Sequence, residues 1–133
     1  PSALVRLARE ISLHDGVIEQ VQWSPAEKVL RLAVVCGDLQ NSYSLVEIVY
    51  GGALLGEQRL DALRRAASDR DVELLYDEVD VQPDGLLTHR ILFHPRDEVT
   101  IDFETISVSV SPRSDKRVDL GGAFVVKGAF DDR

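Results

Sequence analysis

A single cysteine, Cys36, stands in the 133 residues, so no internal disulfide can staple the chain and its fold must rest on packing. Cys36 follows Leu30, Leu32 and Val34 at alternate positions, where a small hydrophobe fits a core, and no His or Lys lies beside it in sequence to make a reactive thiol. Long hydrophobic runs are missing as well. The stretches around Val29 to Cys36 and Ser44 to Leu55 are interrupted by Arg31 and Glu47 and fall short of a bilayer span. No charged-then-apolar segment opens the chain, and the expectation is a cytoplasmic protein with no membrane partner. Basic residues are in deficit, 15 against 23 acidic, for a formal charge of −8. That balance repels phosphate backbones and excludes nucleic acid as the expected partner. No serine sits in a Gly-x-Ser-x-Gly elbow, and Gly51, Gly52 and Gly56 lack the Lys-Ser or Lys-Thr of a phosphate-binding loop. The common enzyme classes therefore leave no signature, and no cofactor is expected.

What the chain does carry is alternation. Val99, Ile101 and Phe103 share one parity, Ile106, Val108 and Val110 the other, and the phase changes near Glu104 and Thr105 without a break in the sequence. A period of two marks half-buried strands. A one-residue slip reverses the buried face, so the switch implies a bulge, a kink or a passage from one packing surface to another.

Three strands are expected first, over Val17 to Trp23, Val29 to Cys36 and Tyr43 to Tyr50, after a short leading helix over Ala3 to Glu10. From Glu57 to Asp69 the period becomes helical, with Leu60, Leu63, Ala66 and Ala67 in one stripe. A second meander follows over Val72 to Val81, Leu86 to His94 and Glu98 to Glu104, joined by Pro83-Asp84-Gly85 and Pro95-Arg96-Asp97 turns. This order reads as α+β, one domain over residues 1–110, with a mainly antiparallel sheet of six to seven strands in two meanders and one main helix between them. Residues 111–133 read as a polar linker and a partly apolar tail. Val118, Leu120, Phe124, Val125, Val126 and Phe130 suit docking on the domain or on a second copy, a route to a homo-oligomer.

Candidate chemistry is sparse. His14 and Asp15 are adjacent and can serve acid–base work, yet Asp followed by Gly is also turn chemistry ahead of a strand. His89 shares its parity with Leu87, Ile91 and Phe93, as a semi-buried histidine with a hydrogen-bond partner would, while His94 falls on the opposite face before Pro95. The two cannot pinch one metal on a regular strand. Asp80, Gln82, Asp84 and Gly85 match the early positions of a calcium loop, but its twelfth position holds Ile91 in place of the bidentate Glu. No metal site is expected. The acidic series Asp69, Asp71, Glu73, Asp77, Glu78, Asp80 and Asp84 reads either as a solvated strand edge that deters pairing or as a surface that steers a cationic partner. On a strand, Glu78 and Asp80 point one way and Asp77 the other.

The run Leu13-His14-Asp15-Gly16 leading into Val17, Ile18 and Val21, with Gly37-Asp38-Leu39-Gln40 and Tyr50-Gly51-Gly52-Ala53, resembles small bacterial proteins of uncharacterised families with a His-Asp-Gly or His-Asp-Ala strand-opening motif. The resemblance covers residues 11–110. Some such acidic α+β proteins look like immunity proteins that neutralise toxins, and the resemblance carries over no catalytic residue. The expectation is a non-catalytic protein-binding module of immunity or regulatory type, with Asp77, Glu78 and Asp80 as binding residues. An enzyme with a site around His14, Asp15 and His89 is the alternative.

Overall fold

The computed structural model describes residues 2–38 and 42–113. The expected docking tail and any self-association through it lie outside the described residues from 114 onward. A helical turn α1 (Ser2–Val5) continues as a π-helical turn over Arg6–Glu10. It is followed by β1 (Val17–Ser24), β2 (Val29–Asp38), β3 (Ser42–Gly51), α2 (Glu57–Ala67), β4 (Glu73–Val81), β5 (Leu87–His94), β6 (Glu98–Phe103) and β7 (Thr105–Arg113). The last strand therefore runs past Val110. All neighbouring strands are antiparallel.

The α+β class holds, but the seven strands form two sheets rather than one, in the orders β1-β2-β3-β7 and β4-β5-β6. The change of phase at Glu104 is the reason. Glu104 N–H donates to Gly51 O at 2.9 Å, and Thr105 already lies opposite Gly51 as the first residue of β7. The chain thus steps from the edge of the smaller sheet to the edge of the larger one within a residue. Val99, Ile101 and Phe103 are buried from one sheet, and Ile106 and Val108 pack on the same core from the other. Of the three readings of that switch, passage between packing surfaces is the one realised.

The inner faces of the two sheets share that core. Leu30, Leu32, Val34, Ile48 and Tyr50 come from the larger sheet, and Ile91, Phe93, Ile101 and Phe103 from the smaller. Helix α2 buries the expected stripe of Leu60, Leu63, Ala66 and Ala67 and lies against β1 and β6. Cys36 is buried in the same core. Tyr50 meets Phe103 edge to face across the sheets, with ring centroids 5.2 Å apart.

A bulge at Glu19 shifts the register of β1 against β2 between Ile18 and Gln20. Ile18 and Val21 can thereby both reach the main core, while Val17 joins Ala33, Val35 and Leu45 in a second cluster on the opposite face. The carboxylate of Glu19 is buried and takes two bonds from the Arg113 guanidinium, at 3.0 and 2.7 Å. Those residues belong to the two edge strands of the larger sheet, so the bidentate pair ties one edge to the other across the sheet face.

Candidate functional site

Three side chains from three strands form a chain of hydrogen bonds that runs through the interior. Tyr50, at the end of β3, has the parity of Val46 and Ile48 and so points into the core. His89 has the parity of Ile91 and Phe93 on β5, and Asp77 lies near it on β4, where Val79 is its direct partner. The Tyr50 hydroxyl is 2.7 Å from His89 Nδ1, and His89 Nε2 is 2.7 Å from Asp77 Oδ2. Tyr50 and His89 are both 0% exposed; the Asp77 side chain keeps 17% of its surface.

Burial, and then the nearby Asp77 charge, push the Tyr50 phenol well above its ordinary pKa, so it stays protonated. It therefore donates to Nδ1. The ring proton then lies on Nε2 and is donated to the Asp77 carboxylate, a direction that leaves no buried side-chain polar atom unpartnered among the described residues. The raised Tyr50 pKa has a consequence for stability. Above about pH 10 an unfolded tyrosine ionises while Tyr50 in the fold does not. The stability this group contributes is fully present below that pH and is lost as pH rises toward its folded value. Alkaline titration followed by tyrosine absorbance should show one of the three tyrosines ionising late, together with loss of the fold, and Tyr50→Phe should abolish that component. Ionisation of all three before any unfolding would show that the phenol is accessible.

Asp77 is also where this chain of bonds reaches the surface. It lines a cleft of about 540 Å³ between the edge of β4 and the segment that runs from the π-helical turn to His14, with Leu7, Ile11 and Leu13 on the far wall. Gly16 sets that segment close to the sheets: a Cβ there would lie 2.7 Å from Val34 Cγ1 and 2.9 Å from Leu13 O, which no side chain allows. The backbone of Leu74 then clasps the turn, with Asp15 N–H donating to Leu74 O at 2.7 Å and Leu74 N–H donating to Gly16 O at 2.8 Å.

The residues singled out from the sequence divide accordingly. His14 and Asp15 sit in this exposed turn with Nδ1 and Oδ1 3.2 Å apart, and Asp15 adopts a left-handed φ of 65°. His14 lines the same cleft as Asp77, whereas His89 lies behind Asp77 and is sealed from solvent. His14, Asp15 and His89 thus do not form one contiguous triad of hydrogen-bonded groups. His94 ends β5 on the exposed side. No three of His, Cys, Asp and Glu are grouped as metal ligands among the described residues. Asp77 turns inward to His89, while Glu78 and Asp80 face out, Glu78 paired with Arg90. Leu75 is displaced onto the surface by a bulge between Leu74 and Tyr76.

The sequence reading missed Tyr50 and Glu19. Tyr50 carries a usable signal, its shared parity with Val46 and Ile48 in an apolar strand; Glu19 is reached only through a bulge that no residue type announces. Comparison of the chain with known proteins finds no family model, no curated protein and no solved structure that matches it. No helix among the described residues is long and apolar enough to cross a membrane.

Proposed function

We propose that the chain is a non-catalytic binding module of immunity or regulatory type, which takes a cationic protein partner on the outer face of its three-stranded sheet. The observation that carries this reading is the composition of that face. Strand alternation and register put Glu78, Asp80, Glu98 and Asp102 there, against two guanidinium groups. Arg90 bonds Glu78 and Glu98, and Arg59 bonds Asp102 at 3.2 Å, while no side-chain bond among the described residues engages the exposed Asp80. Beside these charges Tyr76 and Leu92, direct cross-strand partners, are exposed on the same face. An exposed aromatic next to an aliphatic residue, beside four carboxylates that outnumber the two guanidinium groups bonded to them, has the makings of an interface centre with a net-negative steering rim.

Rim charges act mainly on encounter, so neutralising Glu78 and Asp80 together should slow association and flatten its salt dependence while leaving the fold almost unchanged. The test is recovery of partners from native lysate by the wild type and by the Glu78→Gln, Asp80→Asn variant at low and at high salt. Partners held by the wild type at low salt and lost by the variant are the expected result. Equal recovery by both proteins counts against the acidic face.

A further inference from the structure

We infer that the far edge of β4 is a strand-addition site, one that takes an extended segment of a partner protein with basic side chains at alternate positions and apolar ones between them. This rests on the binding-module reading and gives it a mode of recognition. Strand β4 is an edge of its sheet, with β5 as its only strand neighbour among the described residues. The direction of its backbone groups follows from both ends. At Leu74 the N–H and C=O are turned away from β5 and are used by Gly16 and Asp15, and Phe93, opposite Leu74, correspondingly donates its N–H to Asp97 O. At the other end Gln82 N–H donates to Leu86 O at 2.7 Å and so faces β5. The bulge at Leu75 shifts the alternation by one residue, which reconciles the two ends and leaves Asp77, Val79 and Val81 with their N–H and C=O groups directed away from the sheet. No described residue hydrogen-bonds those backbone groups.

The surroundings define what can pair there. An added strand would run about 4.8 Å from β4, with its side chains alternating between two environments. One set would lie beside Val79 and the exposed Val81 and enter the cleft at Ile11 and Leu75, next to the Asp77 carboxylate, which asks for small apolar residues. The other would emerge beside Tyr76, Glu78 and Asp80 on the outer face, which asks for basic ones. A second copy of this chain is a poor occupant. Antiparallel pairing of two β4 edges about Val79 would set Glu78 directly opposite Asp80 on both sides of the centre, a like-charge arrangement that discourages self-association.

Hydrogen exchange of the full chain, read amide by amide by NMR, tests this with a capped Lys-Val-Lys-Val-Lys-Val peptide as the probe. At saturating peptide the Asp77, Val79 and Val81 amides should exchange about tenfold or more slowly. A Glu-Val peptide of equal length should leave them unchanged, and Asp80→Lys, which sets one positive against one negative charge there, should remove the preference for the Lys-Val peptide. Methylating alternate backbone nitrogens of the Lys-Val peptide keeps its charge but should abolish the protection. Binding that shifts Tyr76 and Leu92 without slowing the edge amides, or that survives methylation, overturns strand addition and leaves the acidic face as the docking surface. Failure of the peptide to bind, while lysate partners still depend on Glu78 and Asp80, has the same meaning. Failure of both experiments removes the binding module itself. Slowing of the same amides with rising protein concentration and no peptide would identify a second copy as the occupant and overturn the heterotypic proposal.

Discussion

Replacing His89 with alanine is expected to destabilise the protein by about 3–5 kcal/mol, the range for deleting a large buried ring and leaving a cavity. The loss has two parts. The ring is wholly buried between Tyr50 and Asp77, with Val79 and Ile101 as its cross-strand partners, so its removal empties space there and also leaves the Tyr50 hydroxyl without an acceptor in the core. Tyr50→Phe removes only the hydroxyl and should cost about 1 kcal/mol. Combining Tyr50→Phe with His89→Leu replaces two polar partners by apolar groups of similar size. The double variant should therefore be less destabilised than the sum of its single variants, because Asp77 can turn toward the cleft it already lines and be solvated there. Urea denaturation of the wild type, Tyr50→Phe, His89→Leu and their combination measures the coupling directly, with His89→Ala measured beside them. Strict additivity, or a His89→Ala loss below about 1 kcal/mol, would show that the three groups do not act as a connected network.

That network could be glimpsed only in pieces in the sequence. His89 has the parity of Leu87, Ile91 and Phe93, and this was enough to expect a buried histidine with a partner. Its partners come from β3 and β4, 39 and 12 residues away in the chain, and no local pattern specifies which strands the fold will bring together. Asp77 illustrates the same limit from the other side. Strand alternation separates it from Glu78 and Asp80, but only the packing of β4 over His89 turns it from a surface charge into a member of a buried chain of bonds. Strand and helix positions were legible because each has its own periodicity, and observed ends fall close to expected ones. The division into two sheets was not, since the phase switch at Glu104 is equally compatible with a bulge within one sheet; the pairing of Thr105 with Gly51 decides it. Bulges themselves, at Glu19 and Leu75, insert a residue with no compositional mark. They matter here because the one at Leu75 sets which amides of β4 face the cleft.

Truncating Leu63 to alanine is the second change expected to have a large effect, about 2–5 kcal/mol in chemical denaturation. Leu63 is 0% exposed and lies at the centre of the buried stripe of α2, the only long helix among the described residues. Eleven residues are too few for a helix to be stable alone in water, so α2 depends on that stripe being held against β1 and β6. Its start also lacks support, because Gly56 at the N-cap makes no side-chain bond to the first turn. Loss of Leu63 should consequently lower protection of the α2 amides more than that of the strands, whereas an exposed alanine substitution such as Asp61→Ala should change stability by no more than about 0.5 kcal/mol. A Leu63→Ala loss below about 0.5 kcal/mol would mean that the helix does not dock through this face. The expected pattern instead makes α2 the layer that closes the core at the β1 and β6 end, on the side of the smaller sheet away from the open β4 edge. Helix loosening and edge recognition should then be separable: Leu63→Ala should weaken the fold while the folded fraction retains the peptide-induced protection of Asp77, Val79 and Val81.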